Sequence, residues 1–180
     1  MKLLLYLRSS LKKAQEVFRL LGDVRYALKY YDGSVVAYRN VMMESRTGSL
    51  EVLSGLTNAL VAAKKPNEAV QELFAAKDRL MMRGKKNQDS NTQVDGSSNR
   101  SNGFEQVDPV QINLLLGKTY SDWGHIGDAV VVYDSLIASH PDDFRGYGAK
   151  GVLLKANGKV GDAERMFIQV SLPVFPPPFI

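Results

Sequence analysis

Residues 127–133 read GDAVVVY and residues 161–167 read GDAERMF, which sets Ala129 and Ala163 in matching surroundings about 34 residues apart. Upstream, Ala69 precedes Ala129 by one such period and most of a second, and Ser34 precedes Ala69 by close to one period more. Four units of one period emerge, with added length between the second and the third. Such a period is long enough for two short helices and their turn, and a unit of this kind cannot bury its apolar face unless a neighbour stacks on it.

The third unit carries the fullest pattern: Leu116, Gly117, Tyr120, Gly124, Ala129, Tyr133 and Pro141. At these spacings it resembles the tetratricopeptide signature of a Leu-Gly pair, an aromatic, a small residue, a second aromatic and a closing proline. The fourth unit repeats it with Tyr147, Gly151, Leu154, Gly158, Ala163 and Phe167, then runs into Pro173 out of register. The first offers Phe18, Leu21, Gly22, Ser34, Tyr38 and Val41. The second offers Leu53, Leu56, Leu60, Ala69, Leu73 and Ala76, with Thr57 in the glycine's place. Gly117, Gly151, Ala129 and Ala163 lack bulk where antiparallel helices approach, and Tyr120, Tyr133 and Phe167 are expected to fill the space between neighbouring pairs.

Apolar residues three and four apart, as in Val52, Leu53, Leu56 and Leu60, argue for helix over strand. Pro66 suits a first helical turn, and Asp142 or Asp143 can cap the helix after Pro141. The expected fold is all-α, a right-handed superhelix of about four helix-turn-helix repeats. Helices are expected near 15–29, 32–44, 49–63, 66–82, 108–123, 126–138, 143–156 and 159–170. The organisation is then a basic helical lead-in over 1–14, two repeats over 15–83, an insertion over 84–107, two repeats over 108–170 and a proline-rich tail over 171–180. The insertion is rich in Asn, Ser, Gly and charge and nearly free of large apolar side chains, so it is expected to be disordered. It contains Asn99-Arg100-Ser101, a formal glycosylation sequon of a kind common by chance.

The chain has 180 residues, 44% hydrophobic and 23% charged, enough for one continuous core. The absence of cysteine removes disulfides, thiolate metal sites and cysteine nucleophiles. The longest early apolar run, residues 3–7, is far too short to span a bilayer, so no transmembrane segment is expected. The net charge is +4, and the excess gathers in residues 1–31, where Lys2, Arg8, Lys12, Lys13, Arg19, Arg25 and Lys29 face only Glu16 and Asp23. That basic helix could make weak contact with an acidic surface; a solvated helix face is the plainer reading.

No catalytic constellation is visible. His125 and His140 stand at turns without partners at metal-ligand spacing, so neither metal nor cofactor is expected. Gly146, Gly148 and Gly151 follow no strand and serve packing rather than a dinucleotide loop. A clamp for acidic chaperone termini needs Lys, Asn and Arg on successive first helices, and only Asn58 and Arg145 fit. The candidate groove is instead lined by Asn58, Leu114, Leu115, Lys118, Asp122, Arg145 and Ala149, suited to an extended peptide or a partner helix. The rival reading of Leu114 and Leu115 is core.

Residues 21–34, LGDVRYALKYYDGS, and 114–125, LLLGKTYSDWGH, look like plant chloroplast tetratricopeptide proteins of the Slow Green and lumen common family type. The resemblance implies a plastid protein in biogenesis or assembly of chloroplast complexes; a cytoplasmic location is the alternative. The expected function is a non-catalytic scaffold binding a protein or peptide, with no small-molecule substrate. An RNA-binding helical repeat is the rival. It would need a basic groove and a slightly longer, pentatricopeptide-like period, and the spacing of the best pair and the small, localised charge excess speak against nucleic acid.

Overall fold

A computed structural model describes residues 2–44, 49–88 and 108–171, all of whose regular structure is helical. The helices are α1 (Lys2–Ala27), α2 (Tyr31–Glu44), α3 (Leu50–Ala62), α4 (Pro66–Gln88), α5 (Pro109–Trp123), α6 (Ile126–Ser139), α7 (Phe144–Ala156) and α8 (Val160–Ser171). The chain divides into two compact units, Met1–Ile112 and Asn113–Ile180, with the boundary inside the first turns of α5. The fold is all-α and built of tetratricopeptide-type hairpins.

The four hairpin turns are closed identically, which fixes the repeat register independently of side chains. Lys29, Lys64, Gly124 and Gly158 all have positive φ, at 60, 64, 90 and 77°. The amide after each one reaches back to the carbonyl five residues earlier: Tyr30 to Arg25, Lys65 to Leu60, His125 to Tyr120 and Lys159 to Leu154, at 2.8–2.9 Å. This is the Schellman closure, which pairs the orphan carbonyls of a helix end and needs one left-handed residue. In two turns glycine occupies that place at no steric cost; in the other two a lysine does.

Within the first unit, α2 lies on α1 and α3. Tyr38, Val41, Val52, Leu56, Ala59, Leu60 and Ala69 form one buried cluster, with Phe18 and Met42 packed against it. Ser34 replaces the small alanine, and its buried hydroxyl donates to the Gly22 carbonyl at 2.8 Å. In the second unit, Ala129, Tyr133 and Leu153 form a cluster joined by Leu114, Tyr120 and Ala149. The glycines make room for rings rather than for the alanines. A Cβ at Gly22, Gly117 or Gly151 would fall within 2.8 Å of the ring of Tyr38, Tyr133 or Phe167. Tyr38 fills the same role against Gly55 of the next hairpin, so one ring locks its own pair and the following one. Leu21 and Tyr120 are half-buried, while Leu116, Gly151 and Ala163 are buried; Pro141 is an exposed turn residue.

Two helices outrun their expected limits. α1 begins at Lys2, so the lead-in and the first repeat helix form one helix of 26 residues. α4 continues to Gln88, five residues into the stretch expected to be disordered. Lys85, Lys86 and Gln88 have high helix propensity, and extending an existing helix avoids the cost of nucleation. The remaining insertion, 89–107 with its sequon, and the tail, 172–180, lie outside the described residues. Among the described residues, no helix is long and apolar enough to cross a membrane.

Candidate partner-binding face

The first helix of each hairpin carries the candidate residues: α3 bears Asn58, α5 bears Leu114, Leu115, Lys118 and Asp122, and α7 bears Arg145 and Ala149. The structure separates them into two groups. Leu115 is buried, and Leu114 and Ala149 pack on the cluster of Ala129, Tyr133 and Leu153. Leu114 and Ala149 are half-buried on that cluster, so packing against it accounts for part of the apolar surface of the proposed groove. Leu115, Ala149 and Gly55 share one repeat position, the face on which hairpins pack. Apolar character at that position is required by stacking and says nothing about a partner.

The polar candidates are accessible or half-buried, and most are held in place. Lys118 pairs with Asp122 one turn along α5. Arg145 chelates Asp143 through Nε and Nη2, at 2.6–3.1 Å. Asp143 is the N-cap of α7 and also accepts from the Arg145 amide at 3.0 Å. The guanidinium beside it holds the Asp143 carboxyl below its usual range. Asn58 is half-buried on α3.

The register adds residues that the sequence reading passed over. Val152 stands one full repeat after Lys118, at the same place on α7, and is 61% exposed. Lys155 is exposed beside it. The spacing from Lys118 was the available signal.

In the first unit the same helix face is acidic. Arg19 pairs with Glu16 at 2.6 Å and with Asp23 at 3.0 Å, and the Tyr38 hydroxyl donates to Asp23 at 2.5 Å. Glu51, on α3, adds its field at Arg19. The hydrogen bond to Arg19 holds Glu16 below the usual carboxylate range. Burial, and then the bond to Asp23, push the Tyr38 phenol up. Three carboxylates thus surround one guanidinium. Arg25, for its part, donates to the Gly33 carbonyl at 2.9 Å and lies over the Tyr30 ring. Among the described side chains, the basic excess of residues 1–31 does not form a basic patch on this face.

His125 and His140 both terminate helix α6, His125 at its start and His140 at its end. His125 stacks on Trp123 at 3.9 Å and pairs with Asp128. No group of three or more metal-ligating side chains occurs among the described residues. A surface depression at the α6–α7 turn is lined by residues including His140, Asp142, Asp143, Phe144 and Arg145.

No family model matches the chain, and no curated protein matches it. Solved structures of helical-repeat proteins do. YrrB, a TPR protein with an unusual peptide-binding site, is 12% identical over 88% of this chain and 68% of its own, with a TM-score of 0.46. A MamA structure is 14% identical over 87% and 74%, with a TM-score of 0.45. TTC0263, a thermophilic TPR protein of Thermus thermophilus, is 16% identical over 87% and 90%, with a TM-score of 0.33. The repeat reading of this chain rests on its own hairpins: one register, four identical closures and a ring over a glycine in three of them.

Proposed function

We propose that the chain is a non-catalytic scaffold that holds a segment of a partner protein against the exposed first-helix faces of its hairpins. The observation that carries this reading is the pre-set polar network of Arg19, Glu16, Asp23 and Tyr38 on a helix face. Side chains already fixed by one another lose little rotamer freedom when a partner docks, which favours recognition. The surplus of carboxylates there suits a segment carrying lysine or arginine. In the second unit Lys118, Asp122, Val152 and Lys155 offer mixed polar and apolar contact.

The resemblance to chloroplast tetratricopeptide proteins extends the proposal to a plastid location and a role in assembling complexes there. The acidic face of the first unit disfavours the RNA-binding alternative, because phosphates would be repelled where Glu16, Asp23 and Glu51 stand.

The test is affinity capture from chloroplast extract, with and without nuclease. The intact chain is compared with a Glu16→Lys, Glu51→Lys variant, a Lys118→Glu, Val152→Asp variant and a Val131→Asp control. The expected result is a nuclease-resistant protein, lost with either face variant and kept with the control. Recovery of nuclease-sensitive RNA alone, or capture indifferent to both face variants, would overturn the reading.

A further inference from the structure

The first two hairpin turns place a lysine where the last two place glycine. Lys29 and Lys64 stand one repeat apart at φ 60 and 64°, while Gly124 and Gly158 hold the same turn place in the second unit. A side chain at positive φ crowds the backbone, so lysine is strained where glycine is free. Both lysines are exposed, and neither makes an ion pair among the described residues. Their neighbour Lys65 differs: Asp32 of the adjoining turn holds it at 2.7 Å, so the two turns lie side by side. Strain kept at two equivalent surface positions points to a use for the two ammonium groups.

The surroundings of these lysines are aromatic and basic. Tyr30, next to Lys29, is 60% exposed, and the Arg25 guanidinium lies 5.9 Å from the centre of its ring. Of the nearby carboxylates, Asp32 is taken by Lys65, and Glu68 and Glu72 by Arg39. The turn edge of the first unit therefore carries positive charge that nothing in the unit neutralises.

The same lysines close one end of the first-helix face assigned to a partner segment. Along α1 that face runs from Glu16 through Arg19 and Asp23 to Tyr26, before the turn at Lys29. α3 repeats it with Glu51, Asn58 and Val61, before the turn at Lys64. Tyr26 is 39% exposed and packs edge-on against the Tyr31 ring, with centroids 5.5 Å apart. The face is thus rich in carboxylates at one end, apolar a few residues on and cationic at the turn. At the rise of a helix, Glu16 and Lys29 are about 20 Å apart. In the second unit the equivalent places hold Gln111 and Arg145, then Ser121 and Lys155, then Gly124 and Gly158, so this gradient belongs to the first unit.

We propose that the first unit selects a protein segment charged oppositely at its two ends. Lysine or arginine lies on Glu16 and Glu51, an apolar residue on Tyr26, and aspartate or glutamate on Lys29 and Lys64. This deepens the partner-binding reading above and rests on it. Opposite charge at the two ends of the face fixes the direction of the segment, because a reversed segment would set like charges together at both ends.

The probes are three fluorescent peptides long enough to span the face, titrated with the full chain and read by anisotropy. One has lysines at one end, leucines in the centre and glutamates at the other end. The second replaces the glutamates by glutamines, and the third interleaves the charges of the first. The first peptide is expected to bind about three- to tenfold more tightly than either of the others. A Lys29→Gly, Lys64→Gly variant gives both turns the residue that suits them, so a loss of binding there is not a loss of fold. It is expected to lose the preference for glutamate over glutamine and to keep its affinity for the glutamine peptide. The proposal is overturned if this variant binds the first peptide as tightly as the intact chain does. It is equally overturned if the interleaved peptide matches the first, the mark of undirected charge attraction, or if none of the three binds. Failure of the partner reading itself is read elsewhere, in a capture from extract that is indifferent to Glu16→Lys, Glu51→Lys.

Discussion

A β-carbon added at Gly117 would lie 2.4 Å from the Tyr133 ring, a distance no packed core accepts without moving the ring or the helix. Gly117→Ala is expected to cost ~1–3 kcal/mol in chemical denaturation, and Tyr133→Leu in the same chain should recover part of it. The hairpin turns invite the opposite change. A non-glycine residue at positive φ carries a strain of ~1–2 kcal/mol, so Lys29→Gly and Lys64→Gly are each expected to stabilise by ~0.5–1 kcal/mol once the flexibility of glycine is discounted. At the start of α7, Asp143→Ala removes a cap and should cost ~1 kcal/mol. The Asp143 carboxyl is depressed in the folded chain, so its contribution is present above the ordinary carboxylate range and is lost as pH falls through the lower, folded value. Tyr133 works the other way. Burial, and then the Asp122 charge, raise its phenol to about 12 from an ordinary 10.0, so the folded state favours the neutral form. Its stabilisation is complete below pH 10.0 and disappears as pH rises through about 12. Alkaline unfolding followed by circular dichroism should therefore fall in that window, and Tyr133→Phe should move it upward. Of these residues, Gly117 and Tyr133 were legible in sequence because the period pairs them. The turn lysines were not, since lysine carries no signal for positive φ.

Among the elements, α5 shows how far periodicity reaches. Its apolar spacing announces a helix, and the start at Pro109 and end at Trp123 follow from proline and from Gly124. The same spacing does not say which apolar residues face a neighbouring hairpin and which face a ligand, and so Leu114 and Leu115 read equally well as groove or core. The packing separates them: Leu115 is buried, and Leu114 is half-buried beside the cluster of Ala129, Tyr133 and Leu153. The acidic face on α1 was hidden for a related reason: a net count of charges averages around a helix, whereas Glu16, Arg19 and Asp23 recur at three and four residues and share one side. α4 outran its expected end because composition marks where a core stops, while helix hydrogen bonds continue through any lysine or glutamine. Across elements, Arg39 of α2 reaches Glu68 and Glu72 of α4 at 2.8 and 3.3 Å. These groups are partly exposed, so Arg39→Ala is expected to cost ~0.2–1 kcal/mol, a loss that shrinks as salt is added to the denaturation experiment.

For the molecule as a whole, stability is spread over many modest hairpin contacts. Leu56 and Leu60 are completely buried, whereas Met43 is 83% exposed. Leu56→Ala should cost ~2–5 kcal/mol, and Met43→Ala should stay within ~0.5 kcal/mol. The repeated turn closure also has a mechanical meaning. Each hairpin turn is fixed by the same backbone bonds and each hairpin by similar packing, so a chain pulled from its ends has no single latch to break. It should yield hairpin by hairpin, each rupture releasing roughly 34 residues, or about 120 Å of contour, and slackening should let each hairpin close again on a neighbour that is still folded. A molecule of this kind behaves under load as a row of small shock absorbers.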